Sequence, residues 1–249
     1  MTPFKDHFSG HAGLYRDARP TYPDALFDWL ATQAPDRALA WDCGCGNGQA
    51  SVAIARRFDR VVATDPSANQ IAGAERRANI DYRVEPAERT SLTAASASLV
   101  TVAQALHWFD HDAFFAEVRR VLKPGGIVAA WAYSDCRTGD AAIDAVKDRL
   151  YVDLTGPYWP PERVHVDAGY TTLPFPFAEI AAPSFAMIAA WNVEQLLGYF
   201  RSWSATQRYI KANGDDPVAS IEPDLRAAWG DAGRIREVHW QFHLRAGSV

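Results

Sequence analysis

Several features that would tie the chain to a particular setting are scarce or missing from its 249 residues. Its three cysteines are too few for the disulfide framework of a small secreted domain. Its net charge of −5 leaves no basic surplus of the kind that nucleic-acid-binding proteins usually carry. No run approaches about 18 apolar residues, and residues 1–10 lack the apolar core of a signal peptide. We therefore expect a cytoplasmic protein that needs neither nucleic acid nor a membrane.

Two of the cysteines, Cys43 and Cys45, stand close together without forming a recognisable metal motif. Paired zinc ligands are usually separated by two to four residues, and a second pair follows them. The chain has neither feature, so we interpret both cysteines as small buried residues and expect no bound metal. A content of 48% hydrophobic and 22% charged residues is that of an ordinary globular protein.

A glycine-rich turn is the feature around which the rest of the chain is arranged. An apolar run over residues 38–43 leads into Gly44, Gly46 and Gly48, and residues 49–58 then have the pattern of a helix. Glycine allows a sharp turn and a close approach of the backbone to a bound group. The start of a helix adds unpaired N–H groups. The pattern predicts a ligand site at the end of a buried strand.

The glycine spacing distinguishes two kinds of cofactor site. A dinucleotide fingerprint needs G-x-G-x-x-G, and Gln49 stands where its last glycine should be. The D-x-G-x-G-x-G run that begins at Asp42 resembles the first motif of the class I S-adenosylmethionine-dependent methyltransferases. In that family the turn holds the methionine end of the cofactor. A glycine turn of purely structural use is the alternative.

Strand and helix patterns alternate over residues 38–133. Apolar runs at 60–65, 97–105 and 127–131 follow the first strand, residues 81–84 are interpreted as a further strand, and residues 110–122 have the pattern of an amphipathic helix. This alternation predicts an α/β fold with a doubly wound, mostly parallel sheet. Later strand patterns at 177–188 and 237–245 raise the expected number of strands to seven.

The resemblance extends this pattern to a Rossmann-like methyltransferase fold with an antiparallel last strand and a helical cap. We expect a single domain over residues 1–249. Its predicted parts are an N-terminal arm and first helix (1–36), the core sheet and helices (38–190), the cap (191–232) and the last strand (234–246).

Further motifs strengthen the likeness. Asp65, the run Ala-Gln-Ala-Leu-His-Trp-Phe-Asp at 103–110 and Val-Leu-Lys-Pro-Gly-Gly at 121–126 follow in the order and spacing of small-molecule class I methyltransferases. The arm motif at 15–23, Gly-Pro-Tyr-Trp at 156–159 and Arg-Ser-Trp-Ser-Ala at 201–205 resemble the subgroup that includes trans-aconitate methyltransferase-like proteins. Members of this subgroup do not share one known substrate.

The resemblance implies S-adenosylmethionine as cofactor and assigns it a set of residues. Asp42 would orient the turn, or hold the cofactor's amino group directly or through water. Asp65 ends the second strand, where a carboxylate accepts hydrogen bonds from ribose hydroxyls. Ala87 and Glu88 would meet adenine, and Gln104 would lie beside the methionine part. The N-terminal arm is rich in aromatic and basic residues, and Tyr15 and Arg19 would touch the cofactor if the arm forms a flap over it; the alternative is an arm that only packs on the edge of the sheet. The full expected set is Tyr15, Arg19, Asp42, Gly44, Gly46, Gly48, Asp65, Ala87, Glu88 and Gln104.

The methyl acceptor is less well defined by the sequence. His107 follows the fourth strand, where it would serve as a general base or only line the pocket. A carboxylate acceptor would favour a guanidinium partner, because the planar fork matches two oxygens. Arg201 and Arg208 are seven residues apart and would share a face if their helix is continuous, and Arg19 is a third candidate. The expected acceptor-site residues are Trp108, Tyr133, Arg201, Trp203 and Arg208.

The function predicted from the sequence is methyl transfer from S-adenosylmethionine to a small molecule, with carboxylate O-methylation as a candidate reaction, by a monomer or homodimer. A non-catalytic S-adenosylmethionine-binding protein stays open as an alternative. A methyltransferase acting on protein or RNA is disfavoured. The fourth strand ends in Gln-Ala-Leu-His-Trp, whereas Asn/Asp-Pro-Pro-Tyr/Phe is typical of planar nitrogen acceptors.

Overall fold

A mixed sheet forms the centre of the computed structural model, which describes residues 19–249. The strand order is β3-β2-β1-β4-β5-β8-β6, and β7 also pairs with β8. The first five strands are parallel, while β8 runs antiparallel to β5. The expected doubly wound, mostly parallel sheet with an antiparallel last strand is confirmed. The strands are β1 (Leu39–Cys43), β2 (Arg60–Asp65), β3 (Ile80–Val84), β4 (Ala97–Ala103), β5 (Leu122–Arg137), β6 (Ala178–Glu179), β7 (Met187–Trp191) and β8 (Arg236–Ser248).

The described part of the sheet has eight strands, whereas the sequence pattern predicts seven. The difference lies at residues 177–188, which the pattern assigns to one strand. The structure instead has the short strands β6 and β7, both antiparallel to β8. Pro183 lies between them, and proline interrupts a strand because it has no N–H to donate to a neighbour.

The parallel strands are apolar because both faces of the sheet are covered. Successive side chains of a strand point to opposite faces. Ala40 accordingly packs with Ile54 on one side of β1, and Trp41 packs with Phe114 on the other. The Trp41 indole N–H is buried and donates to the Thr64 hydroxyl at 2.9 Å, so this polar group has a partner inside the core.

The helices differ from the sequence pattern mainly in the predicted cap. The continuous helix that would place Arg201 and Arg208 on one face is divided at Ser202 and Trp203, so the two arginines lie on different helices. The α-helices of the described residues are α1 (Asp24–Gln33), α2 (Gln49–Ile54), α3 (Ala68–Ala72), α4 (His111–Val121), α5 (Ala141–Asp148), α6 (Arg163–Asp167), α7 (Val193–Arg201), α8 (Ser204–Asn213) and α9 (Pro217–Trp229).

A third hydrophobic cluster, rich in aromatic residues, joins these later helices to the sheet. It is separate from the two clusters on the faces of the parallel strands. Its ring pairs include Trp191 on Trp240 with centroids 5.0 Å apart and Tyr199 on Trp203 at 5.6 Å. The later helices therefore pack firmly beside the ends of β5, β7 and β8.

The strand order fixes where a ligand can bind. The chain runs from β1 outward to β3 and then returns to place β4 on the other side of β1. Connections that leave β1 and β4 therefore diverge and open a crevice at the carboxyl ends of these strands. The glycine turn follows β1, and Gln104 follows β4, so both lie at this crevice.

No helix within residues 19–249 combines the length and the apolar character needed to cross a bilayer.

Candidate functional site

Asp42 lies beneath the glycine turn and is fully buried. Its carboxylate accepts hydrogen bonds from the Ser51 hydroxyl at 2.5 Å and from the Thr101 hydroxyl at 2.8 Å. Burial raises the pKa of Asp42 to about 6, and the two hydroxyl hydrogen bonds oppose that rise. The carboxylate thus ties β1 to α2 and β4, an arrangement that suits orientation of the turn better than direct contact with a ligand.

The three glycines of the turn have different surroundings, although all three have a positive φ. A Cβ on Gly44 would lie 2.7 Å from the Ala105 Cβ, and one on Gly48 would overlap the Tyr82 ring and hydroxyl. A Cβ on Gly46 would lie 3.8 Å from its nearest neighbouring atom, the Gln70 Oε1. Two glycines are therefore required by the protein's own packing. Among the described residues, a Cβ on Gly46 would make only an ordinary van der Waals contact, and the lining of the methionine part by all three glycines stays a prediction.

Asp65 links the end of β2 to the glycine turn. Its Oδ2 accepts from the Gly46 N–H at 2.9 Å, and its Oδ1 accepts from the Ser67 N–H at 2.8 Å. Both oxygens of the carboxylate thus tie the glycine turn and the start of the next helix to the end of β2. The contact of Asp65 with ribose stays a prediction.

A hydrogen bond links the loop after β3 to the N-terminus of α4. Ala87 is buried, and Glu88 accepts from the Asp110 N–H at 3.0 Å through its Oε1. Asp110 in turn caps α4, because its carboxylate accepts from the Ala113 N–H. The two residues predicted to meet adenine therefore border the same crevice as the glycine turn.

A cavity of about 60 Å³ lies beyond the end of β4, and we call it the β4 cavity. One water molecule needs roughly 10–15 Å³ by this measure, so the cavity has room for a small ligand group. Five residues predicted for the site belong to its lining, namely Arg19, Gln104, His107, Trp108 and Trp203. The described residues that line it are Arg19, Gln104, His107, Trp108, Asp135, Tyr151, Trp159, Pro160, Arg163, Val166, Tyr199, Trp203 and Ser204.

Gln104 has an unusual backbone conformation at the wall of this cavity. Its φ is +57°, a left-handed value that non-glycine residues seldom adopt. The backbone N–H donates to the Trp131 carbonyl and the side-chain amide donates to the Tyr133 carbonyl, both at 2.9 Å. Two hydrogen bonds to β5 thus hold Gln104 in a conformation that costs on the order of 1–3 kcal/mol.

His107 lines the β4 cavity through a partly buried ring. Its Nδ1 lies 2.9 Å from the hydroxyl oxygen of Tyr170. Burial, supported by the positive charge of Arg163, lowers the pKa of His107 to about 3. The imidazole is therefore neutral at physiological pH.

Arg19 connects the cavity wall to the later helices. Its Nη1 donates to the Tyr133 hydroxyl at 3.2 Å, and its Nη2 donates to the Ser202 carbonyl at 2.9 Å. The guanidinium carbon lies 5.4 Å from the centroid of the Tyr199 ring. Tyr133 itself supports Arg19 and Gln104 from behind and does not line the cavity. The predicted contact of Tyr15 falls outside the described residues.

The two cap arginines proposed from the sequence as a carboxylate clamp do not line the β4 cavity. Arg201 donates to Asp216 and Glu222, both at 2.8 Å, and so belongs to a network of ion pairs among the helices. Arg208 approaches the Tyr158 carbonyl at 3.5 Å. The geometry does not support a clamp at these residues, because the break between α7 and α8 separates them and acidic partners hold Arg201.

Arg163 is a cavity residue that sequence reasoning missed. Its Nε donates to Asp167 at 2.9 Å, one turn further along α6. Its guanidinium carbon lies 4.7 Å from the centroid of the Trp159 ring and 5.7 Å from that of Tyr151. The only signal was the aromatic and proline-rich run at 156–161, which indicated a loop without showing that it folds over the strand ends.

Metal binding finds no support in the part of the chain that the structure describes. Within residues 19–249, no group of three or more histidine, cysteine or acidic side chains is arranged to hold an ion.

Comparisons with known proteins identify the family. Residues 41–130 match the family model of a methyltransferase domain. A protein of Dictyostelium discoideum, named as a methyltransferase, is 33% identical over 231 residues, which cover 92% of this chain and 88% of that protein. A solved structure from Anaeromyxobacter dehalogenans, named as a type II methyltransferase, is 50% identical with a TM-score of 0.86, covering 92% of this chain and 97% of that one. The chain belongs to the class I S-adenosylmethionine-dependent methyltransferases.

The methyltransferase uses S-adenosylmethionine, and its glycine turn fits this cofactor. A Cβ on Gly46 would lie 3.8 Å from its nearest described neighbour, so the backbone of the turn allows a bound group to approach closely there. Beside it, the side-chain amide nitrogen of Asn47 is buried without a hydrogen-bond partner among the described residues. An unsatisfied buried donor costs about 1–3 kcal/mol, so a ligand with acceptor oxygens would relieve this cost. The methionine carboxylate of the cofactor is such a group.

Proposed function

We propose that the methyltransferase transfers the methyl group of S-adenosylmethionine to a carboxylate oxygen of a small molecule held in the β4 cavity. The observation that carries this proposal is the presence of two guanidinium groups, Arg19 and Arg163, in the lining of one small cavity beside Gln104. We also place the enzyme in the trans-aconitate methyltransferase-like subgroup. Trp159 and Trp203, which belong to two of the motifs shared with that subgroup, line the same cavity.

The charges around the cavity favour an anionic acceptor. Asp135 is the acidic residue of the described lining, and its Oδ2 is paired with the ammonium of the buried Lys147. The neighbouring His107 is neutral because its pKa is low. Asp167 offsets part of the charge of Arg163 from outside the lining, and the two guanidinium groups supply charge-assisted N–H donors that suit an anion better than a cationic amine.

Arg163 is suited to hold a carboxylate. The contact between Nε and Asp167 and the stacking on Trp159 fix the plane of its guanidinium group. An arginine has five N–H donors, and the Nη pair matches the two oxygens of a carboxylate. Because the fork is held in place before the acceptor arrives, less side-chain entropy is lost on binding.

The chemistry is consistent with these residues. When bound, S-adenosylmethionine supplies an electrophilic methyl group on a sulfonium. The attacking carboxylate oxygen forms a C–O bond as the C–S bond breaks, and the products are a methyl ester and S-adenosylhomocysteine. A carboxylate is already ionised at neutral pH, so the reaction needs no general base. The protein contributes alignment and charge placement, which bring the reacting atoms into line.

Two alternatives are less well supported by the site. A non-catalytic binding protein would have no use for a second cavity with two arginines beside the cofactor crevice. A polypeptide or RNA acceptor would need an open groove, whereas a cavity of about 60 Å³ suits a small molecule.

We propose that the active form is a monomer or homodimer.

A substrate screen tests the proposal. The purified enzyme is incubated with S-adenosylmethionine and separate panels of small carboxylic acids, phenols and amines, and methylated products are detected by mass spectrometry. We expect turnover in the carboxylic acid panel. Turnover confined to phenols or amines would show that the carboxylate assignment is wrong, and no turnover in any panel would favour the non-catalytic alternative.

A further inference from the structure

The contact between His107 and Tyr170 brings together two residues that are 63 positions apart. The Tyr170 ring is almost fully buried, at 1% exposure, and its hydroxyl oxygen lies 2.9 Å from the His107 Nδ1. His107 lines the β4 cavity, whereas Tyr170 does not. Tyr170 can therefore influence an acceptor only through the histidine.

The turn that carries Tyr170 is strained in order to place this hydroxyl. Gly169 and Tyr170 both have positive φ, at +60° and +62°. For a bulky residue this conformation is an outlier that costs on the order of 1–3 kcal/mol, and such strain is concentrated at functional sites. Arg245 helps to hold the turn by donating to the Tyr170 carbonyl at 3.1 Å. A side chain on Gly169 would collide with the His243 ring.

The direction of this contact follows from the chemistry of its two partners. A phenol hydroxyl carries a proton that it can donate, and an unprotonated nitrogen of a neutral imidazole accepts one. Burial raises the pKa of Tyr170 above its usual value, and the phenol keeps that proton. The partner within reach is the His107 Nδ1. A neutral imidazole that accepts at Nδ1 carries its own proton at Nε2.

We propose that Tyr170 is a positioning residue that holds His107 as the Nε2–H tautomer, which donates a hydrogen bond to the acceptor in the β4 cavity. This inference rests on the proposed function in one respect, since the acceptor must offer an oxygen. His107 then has no lone pair at Nε2 with which to remove a proton. Its role is to orient an acceptor that is already ionised, which replaces the general-base role considered from the sequence.

The surroundings of His107 keep it neutral. Arg163 and His165 face it from α6, and His111 faces it from α4. Each of these side chains is cationic or becomes so on protonation, and each disfavours a second positive charge on the ring. The hydrogen-bonded Tyr170 is uncharged. No carboxylate contributes to the electrostatic environment of the His107 ring among the described residues.

Nitrogen NMR of the enzyme labelled with ¹⁵N-histidine tests the tautomer without any acceptor. The chain has seven histidines, and the His107 signals are those lost in His107→Gln. We expect a neutral ring with its proton on Nε2 across the range from about pH 5.5 to 8, because the pKa of the ring lies far below it. A proton on Nδ1, or titration near pH 6.5, would overturn the proposal. Since the readout is independent of turnover, it separates this proposal from the carboxylate assignment.

Tyr170→Phe tests the positioning role itself. Loss of the hydroxyl should allow the proton of His107 to distribute between both ring nitrogens, which the same spectra report. The KM for a carboxylate acceptor should rise about tenfold with little change in kcat. Tyr158→Phe is the matched control, because the Tyr158 hydroxyl accepts from the Asn213 amide and Tyr158 does not line the cavity. An unchanged tautomer in Tyr170→Phe would show that the tyrosine does not set it.

A pair of substitutions at His107 separates a hydrogen-bond donor from a base. His107→Gln keeps an N–H donor near the position of Nε2, whereas His107→Leu removes it. We expect the glutamine variant to stay within about tenfold of the wild-type kcat/KM, and the leucine variant to lose clearly more. Equal loss of activity in both variants would favour a base.

Discussion

Replacement of Arg163 by glutamine tests the assignment of the carboxylate contact. Arg163 lines the β4 cavity, and its plane is fixed by Asp167 and Trp159. Glutamine keeps a polar side chain of similar length but loses both the charge and the fork. Arg163 also helps to lower the pKa of His107, but burial is the larger cause, so the main expected change is in the interaction between enzyme and acceptor.

The magnitude follows from the lost hydrogen bonds. Hydrogen bonds to a charged group contribute about 1.5–3 kcal/mol, which corresponds to roughly 10- to 150-fold in binding. Because the carboxylate is held before and during methyl transfer, the loss should appear mainly as a higher KM, with a smaller change in kcat. Initial rates measured over a range of acceptor concentrations, at saturating S-adenosylmethionine, give both constants.

Arg201→Gln is the matched control for this substitution. Arg201 is also a partly exposed arginine in the later part of the chain, but it pairs with Asp216 and Glu222 outside the cavity lining. Exposed ion pairs of this kind contribute about 0–1 kcal/mol to stability, so the variant should fold and keep its KM. If Arg201→Gln raises KM as much as Arg163→Gln, or if Arg163→Gln leaves KM unchanged, the assignment of Arg163 is wrong.

Two further predictions concern the cofactor crevice. Asp65→Asn should weaken binding of S-adenosylhomocysteine at least tenfold in calorimetry, because it loses an acceptor for ribose and for the backbone of the turn. Asp59→Asn, at an exposed residue just before β2, is the control. Equal affinities of the two variants would refute the role of Asp65. In the folded protein the pKa of Asp42 is raised to about 6 from 3.8, so between pH 3.8 and pH 6 the folded state binds more protons than the unfolded state. The free energy of unfolding therefore falls as the pH rises through this range, by roughly 3 kcal/mol in total. Asp42→Asn should remove this slope from the free energy of unfolding measured by urea titration at pH 4 to 7; identical slopes in both proteins would contradict it.

The sheet and the cofactor crevice could be predicted from the sequence because their signals are local. β1, β2, β4 and β5 contain apolar runs, and each crevice residue is placed by the end of a strand or by a glycine next to it. Asp65 and Gln104 illustrate this, since the position of each follows directly from the strand before it. The separate surroundings of Gly44 and Gly48 were not predictable, because they depend on Ala105 and Tyr82 from other strands and loops.

The acceptor side could not be predicted in the same way because it depends on long-range packing. Arg201 and Arg163 are both arginines near aromatic residues in the sequence, and no local pattern distinguishes them. Only the structure shows that acidic residues hold Arg201 while α6 brings Arg163 over the end of β4. The contact of Tyr170 with His107 depends on a strained turn at residues 169–170, and tyrosine gives no sequence signal for a left-handed backbone.

The chemistry of the product tests the central claim most directly. The enzyme is supplied with S-adenosylmethionine that carries a trideuterated methyl group and with an acid from the substrate screen, and the product is then treated with base. Transfer to a carboxylate predicts a labelled methyl ester that base hydrolyses to the original acid and labelled methanol. A label that resists base, because it is attached to nitrogen, carbon or an ether oxygen, would contradict the claim.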